Sequence, residues 1–535
     1  MQTVEEKSAA ETLGNFQKRP DVLLMVVDSV ASAQAIRSLP RTVNLLKHGM
    51  MAVEFRKLNK VGANSKPNAF PLLFGKILEH VDKKAFNVSS IPADWSYDYF
   101  CNSYLDNASF IPFEYRDAGY KVLSAEDYGL SVLYWPECYG MKENKFHHSY
   151  RPFYTRLEED PDLYNIHTKG SCRLQHNNML DYLSLFLKAN EGSPKFSLVW
   201  FGELAHDDAA DLYAGDYDLY DFFLKHKEAL ENSFTFVLGD HGSRFGSEAK
   251  ASASSDANNP FLYIVLPKIH RLSKLHEQLL KNSQEIVTHH DLHSTLKDIL
   301  YFQPESMFTD LEYKRFDSDP HGSSLLREFE PGVVRTCKTL PIPFQYCICQ
   351  YKKEIFREHE KVVALGKFAA AGIASILESY NVSSQCEKIA MYKVFKVEKY
   401  IGQNTSTSNE SYFDIIFSVA EPAEGQFKIP IREDEHGNLE LAGDQFQRLI
   451  PYGHNGDCMR NYLLQPLCTC KNRTTVLPAT TSPTKSLPTR KNGTAILSRS
   501  TPLLRSSSTR TKPFTVLHKS TSREWSSSSP LSKST

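Results

Sequence analysis

Short, unbroken apolar runs, each closed by a polar turn, set the pattern of the first three hundred residues. Residues 22–27 stop at Asp28-Ser29, and residues 234–238 stop at Gly239-Asp240-His241-Gly242. Residues 196–201 and 261–266 repeat the pattern. Runs this short and continuous, rich in Val and Phe, predict strands buried on both faces, as in a parallel sheet covered by helices. Helical periodicity fills the intervals at 178–188, 272–280 and 292–300, the last with Asp291 as its cap. The alternation predicts an α/β fold with a mainly parallel sheet flanked by helices. Residues 76–164 lack such runs and read as long loops over the sheet, with Trp95, Tyr97, Tyr99, Tyr134 and Trp135 packed beneath them.

Past residue 335 the pattern changes. A helical stretch over 362–377 leads into β-type alternation at 391–397, 412–420 and 426–431, with a turn at 435–438. The chain therefore divides into a disordered lead (1–19), an α/β core (20–330), a cysteine-containing α+β domain (331–472) and a Ser/Thr/Pro-rich tail (473–535). The tail holds too few apolar residues to offset the entropy of ordering it.

Charge and cysteine narrow the class. The chain carries 62 basic and 63 acidic residues, a formal net charge of -1, which removes the electrostatic case for nucleic acid. No apolar run reaches the roughly 18 residues of a membrane helix, so no transmembrane segment is expected. Most of the ten cysteines fall late, at Cys337, Cys347, Cys349, Cys386, Cys458, Cys468 and Cys470. Their spacing lacks the two-residue gap of zinc knuckles and favours disulfides, with connectivity left open. Asn-x-Ser/Thr sites at Asn87, Asn107, Asn381, Asn404, Asn409, Asn472 and Asn492 point the same way, to a glycoprotein of the secretory pathway. Residues 1–19 are polar, so this reading expects a signal peptide or anchor that the present chain does not carry.

The chemistry gathers at the strand ends, where open α/β sheets bind ligands. Asp28, Asp240 and His241 offer two carboxylates and an imidazole, a donor set for zinc or manganese ahead of calcium. Lys60-Val-Gly-Ala-Asn-Ser65-Lys-Pro-Asn68 then runs from a loop into an apolar helical segment. Ser65 is thereby placed at a helix N-terminus, which favours an oxyanion. A serine hydroxyl needs a base or metal to become a nucleophile, and a cation shared by Asp28, Ser65, Asp240 and His241 supplies one. The plainer alternatives are a turn-capping Asp28 and a helix-capping Ser65. Asn64 is a secondary oxyanion candidate, and Arg244 either steadies an anion or forms a salt bridge.

Taken together, these motifs resemble the alkaline phosphatase superfamily. Ser65-Lys-Pro-Asn68 is similar to the Thr-Phe-Pro-Asn nucleophile loop of nucleotide pyrophosphatase/phosphodiesterases. NKVGANSKPNAFPLLFG, GDHGSRFG, HDLHSTLKDIL and VVRTC…IPFQYCIC are similar to strings of the sulfatase-like family DUF229, common in nematodes, over residues 21–470. The resemblance implies an alkaline-phosphatase/sulfatase-like core and a secreted or anchored setting. It implies a metal site of Asp28, Ser65, Asp240 and His241 with Ser65 as nucleophile, and a second metal at His206 and His321. Two-metal phosphodiesterases place an Asp four residues before the first of those histidines. Here that position is Gly202, followed by Glu203, with Asp207-Asp208 beyond, so one or two divalent ions stay open. Formylglycine formation needs an Arg where this chain has Ala69, which ranks phospho-esters above sulfate esters. His289, His290 and His293 fall in a structural stretch of the family and read as capping or packing groups. The expectation is a metal-dependent hydrolase or transferase acting on small-molecule, glycan-linked or lipid-linked phospho-esters. The alternatives are a non-catalytic secreted interaction protein and a sulfate ester hydrolase.

Overall fold

The apolar runs become neighbouring strands. In the computed structural model, β1 (Asp21–Val27) lies between β5 (Lys195–Phe201) and β6 (Ser233–Leu238) and is parallel to both. Described residues are 19–471 apart from 128–130, 168–172, 245–254, 317–319, 349–351, 402–409, 444 and 452, all within one compact unit, Met1–Leu477. The predicted lead, the tail, Cys172, Cys349 and the sequons Asn404, Asn409, Asn472 and Asn492 lie outside the described residues, apart from Arg19 at the edge of the lead.

The sheet runs β2 (Val53–Glu54), β7 (Leu262–Val265), β6, β1, β5, β3 (Lys121–Glu126), β4 (His148–Ser149). Only the β2–β7 and β7–β6 pairs are antiparallel. Side chains alternate between two buried faces, as strand geometry requires. Val22, Leu24 and Val26 share one face with Leu198 and Phe236, under α1 (Ser65–Phe74) and α4 (His289–Lys297). Leu23, Met25 and Val27 share the other with Val199 and Val237, under α2 (His176–Ala189) and α3 (Leu212–Lys225). Burial on both sides is why these strands lack alternation in sequence.

Two expectations need correction. Residues 76–164 are not only loops, because they contain β3 and β4. β3 sits towards the sheet edge and is half-buried at Lys121, Ser124 and Glu126, so it offers no apolar run. Asp291 does not precede its helix. Thr288 is the N-cap, and Asp291 closes a capping box from the first turn, accepting from Thr288 N at 2.7 Å.

A second, antiparallel sheet follows: β8 (Lys352–Ile355), β9 (Met391–Ile401), β10 (Ser411–Val419), β11 (Gly425–Glu433) and β12 (Leu439–Leu441), with β13 (Gln447–Arg448) beside β11. α5 (His359–Ser379) is long and apolar enough to cross a membrane by composition, yet Leu365, Ala369, Ile373 and Leu377 pack against this sheet with Ile415 and Ile429. Disulfides join Cys101–Cys138, Cys337–Cys347, Cys386–Cys468 and Cys458–Cys470. The described sequons Asn87, Asn107 and Asn381 are all exposed.

Arg327 ties the chain beyond α4 to the core. It is 1% exposed and bonds Asp298 (0% exposed) at 2.9 Å and Asp310 at 2.7 Å. Removing the cation alone strands a buried carboxylate. Arg327→Leu is therefore expected to lower stability by about 3–5 kcal/mol in chemical denaturation. Arg327→Leu with Asp298→Asn should recover part of that loss; an equal or larger loss in the double variant refutes the account.

Candidate active site

Strand register brings the first two site residues together. Val26 of β1 stands opposite Leu238 of β6, so both chains leave the sheet at one level, with Asp28 and Asp240 two residues on. Ser29 turns the chain with φ 63°. Its N–H donates to Asp240 Oδ1 at 3.0 Å and its hydroxyl to Asp28 Oδ1 at 2.9 Å. Glycines permit the close approach on the other side. A Cβ on Gly239 would stand 2.4 Å from Val30 O, and one on Gly242 2.2 Å from Asp256 O.

Ser65 is the first residue of α1, after an extended Asn64. Its loop is held by Asn68, 0% exposed. Asn68 Oδ1 accepts from Val61 N at 2.8 Å and Gly62 N at 3.1 Å, and Nδ2 donates to Gly62 O and Asn64 O. The partly exposed Ser65 Oγ donates to Asp28 Oδ2 at 3.0 Å and lies 3.4 Å from His241 Nε2.

His241 Nδ1 lies 2.9 Å from Gly242 O, an acceptor, so Nδ1 carries the proton and Nε2 the lone pair. Burial pushes this imidazole down to about 3, keeping it neutral. Its Nε2 lies 3.6 Å from Asp28 Oδ1 and 3.5 Å from Asp240 Oδ2, and among the described residues no hydrogen bond reaches Asp240 Oδ2. Burial raises both carboxylates above their ordinary range. Two acceptor oxygens and a nitrogen lone pair facing one another fit a cation between them. Atoms each about 2.1 Å from a tetrahedral zinc stand roughly 3.4 Å apart, close to these spacings. Donation of Nδ1–H to a carbonyl is also what usually orients a metal-binding histidine.

Not every predicted ligand joins them. His206 follows β5, next to β1, close enough for the Asp28 charge to act on it. Burial works against its protonation, but the 2.7 Å bond to Asp207 and the Asp28 charge raise it. His321 is engaged with groups outside this cluster. It bonds Asp94 Oδ2 at 3.1 Å and packs on the His290 ring at 5.2 Å. That same Asp94 oxygen accepts from Ile77 N, beyond the C-terminal end of α1, whose ten residues span about 15 Å from Ser65. The reading of the α4 histidines as caps is consistent with two of them: His293 Nδ1 caps Leu72 O at 3.1 Å and His289 Nε2 lies 3.4 Å from Gly239 O.

Three groups escaped the sequence reading. Lys60, 1% exposed, lies over the Tyr346 ring at 4.6 Å, within electrostatic range of Asp240 and Arg244. Burial brings its ammonium down to about 7, as it does for Lys66, which donates to Leu133 O at 3.2 Å. Asp127, at the end of β3, accepts from Gly202 N at 2.7 Å and from Glu203 N, and burial pushes it up to about 7. A carboxylate thus meets Gly202 through space rather than through sequence. Arg244 and Asn64 line a cavity of about 490 Å³ at this end of the sheet.

A family model described as "Protein of unknown function (DUF229)" matches residues 1–395. No curated protein matches the chain. Solved structures that it resembles include the phosphonate monoester hydrolase of Agrobacterium radiobacter, at 12% identity over 78% of this chain and 89% of that one, TM-score 0.39. Another is a protein in the alkaline phosphatase superfamily from Vibrio parahaemolyticus, at 11% identity over 81% and 91%, TM-score 0.37. The lipoteichoic acid synthase LtaP from Listeria monocytogenes matches at 11% identity over 61% and 79%, TM-score 0.37.

The Asn68 bonds generate a direct expectation. Asn68→Leu orphans the Val61 and Gly62 amides, at about 1–3 kcal/mol for each unless water reaches it. Hydrogen exchange at both amides should accelerate and the melting temperature should fall. Unchanged protection at both positions would show that the loop is held by other means.

Proposed function

The chain belongs to the DUF229 family, whose function is unknown, and from that premise we propose that it is a metal-dependent hydrolase or transferase of phospho-esters with Ser65 as nucleophile. One observation carries the reading: the His241 nitrogen lone pair, Asp240 and Asp28 meet within reach of one ion beside a serine hydroxyl at a helix N-terminus. Asp28, Asp240, His241 and Ser65 would hold one divalent cation, zinc or manganese by donor type. A cation there supplies positive charge that lowers the pKa of the Ser65 hydroxyl and offsets charge on the phosphoryl group.

The chain's own groups account for the remaining steps. Ser65 Oγ attacks phosphorus in line, a P–Oγ bond forms, and the bond to the leaving alcohol breaks. The N–H groups that open α1 and the guanidinium of Arg244 favour the negative charge on the phosphoryl oxygens. Water or an acceptor hydroxyl then attacks phosphorus and returns Ser65 to its hydroxyl form. Water makes the enzyme a hydrolase; an acceptor alcohol makes it a transferase. His321 bonded to Asp94, with Gly202 where two-metal phosphodiesterases carry an Asp, favours one ion over two. Ala69, buried within α1, leaves Ser65 without the Arg of the formylglycine motif and favours phosphate over sulfate. The four disulfides and exposed sequons support a secretory-pathway setting.

Ser65→Ala is expected to cut turnover of bis(4-nitrophenyl) phosphate by at least about a thousandfold while the protein keeps its metal by mass spectrometry. Asp240→Asn should lose both. Wild-type turnover in Ser65→Ala would end the nucleophile assignment, and a wild-type protein that takes up no divalent ion would end the metal reading.

A further inference from the structure

A cavity that reaches Asn64, the residue before Ser65, is lined by loops of the α/β core and by the chain of the antiparallel sheet. Asn64 and Arg244 close one end, Trp95 flanks it after α1, and Gln445, Phe446 and Gln447 enter from the chain around β13. Its volume of about 490 Å³ exceeds what a phosphoryl group fills and falls in the range of small-molecule sites. Arg244 and His80 line it too, and two further charged side chains there are bonded to the protein. Glu79 accepts from Tyr462 at 3.1 Å, and Arg448 donates to the carbonyls of Ile450, Pro466 and Glu424.

Neutral amides line it as well. Among the described residues, no hydrogen bond engages the side-chain amides of Gln445 or Gln447, and none reaches the buried Asn64 Oδ1. Unspent amides ask for a partner that both donates and accepts, and the half-buried Trp95 ring adds an apolar surface to the lining. An apolar alcohol would leave the amides unpaired, at about 1–3 kcal/mol for each one buried.

We propose that this cavity receives the alcohol portion of the substrate, and that this alcohol is a cyclic polyol, a sugar or cyclitol ring esterified to the phosphoryl group that Ser65 attacks. The proposal rests on the reading of Ser65 as nucleophile. It makes the antiparallel sheet's module half of the specificity site, held there by the Cys386–Cys468 and Cys458–Cys470 bridges.

The test compares 4-nitrophenyl phosphodiesters that differ only in the second arm: methyl, cyclohexylmethyl or glucos-6-yl. The glucosyl arm should exceed cyclohexylmethyl in kcat/KM by about tenfold, and Gln445→Leu/Gln447→Leu should bring that ratio near one. A ratio at or below one in the wild type, or one that the double variant leaves unchanged, overturns the proposal. Glucose 6-phosphate binding to Ser65→Ala, followed by tryptophan fluorescence, gives a readout independent of turnover. Saturable quenching that disappears with Trp95→Phe upholds the cavity assignment even where no diester is cleaved, and then only the nucleophile reading fails. Absence of quenching overturns the proposal.

Discussion

Asp28 and Asp240 are buried acceptors aimed at a third acceptor, the lone pair of His241, and this mutual repulsion is the constraint around which the core is arranged. Each buried ion costs several kcal/mol even after relaxation. Local donors offset part of the cost: Ser29 N–H and hydroxyl, His241 N–H and the Ser65 hydroxyl. Among them the Ser65 hydroxyl alone also approaches the His241 nitrogen, at 3.4 Å. The arrangement persists because the sheet overdetermines it. β1 is paired on both sides, its side chains are buried on both faces, and the turns after β1 and β6 fit only with Ser29 at positive φ and no Cβ at Gly239 and Gly242. Such strain at a strand end is the usual mark of a site shaped for a ligand.

The sequence was legible where a single physical rule dominated. A strand buried on both faces must be apolar throughout, so β1, β5, β6 and β7 stood out, and with them Asp28, Asp240 and His241 at their ends. β3 obeys two rules at once, packing on one side and meeting water on the other near the sheet edge. Lys121, Ser124 and Glu126 broke its pattern. Losing β3 also hid Asp127, whose meaning depends on Gly202 of a strand exit distant in sequence. Lys60 was overlooked for a different reason. A lysine in a Gly-rich loop looks solvated, and only the packing of Tyr346 over it shows that it is buried.

Motif spacing defines the second set of ligands less sharply than strand geometry defines the first. His206 and His321 were paired by resemblance; the Asp28 charge acts on His206, and His321 bonds Asp94. A histidine on a loop can satisfy several environments, and local order along the chain does not choose among them. The antiparallel sheet shows the same limit. Its alternating strands were readable, but its contribution to the cavity near Ser65 depends on how Gln445 and Gln447 meet the other sheet, which no periodicity encodes.

On the proposed reading, a site with ligands for one ion leaves charge to be met by the chain itself. A phosphodiester brings one negative charge and gathers more on its oxygens as the bond to the leaving group stretches. Two-ion sites meet that charge with the second cation. Here Gly202 stands in sequence where the two-metal enzymes carry an Asp; its amide donates to Asp127, and Glu203 beside it accepts from Tyr154. Positive charge comes from Arg244 and Lys60, which act on one another, with Lys60 within range of Asp240. The half-buried Arg244 and the buried Lys60, whose ammonium burial brings down to about 7, offset part of the charge of the two buried carboxylates. A divalent cation alone adds two positive charges and a phosphodiester alone one negative charge. Bound together they attract each other, so cation and phosphoryl group favour each other's binding.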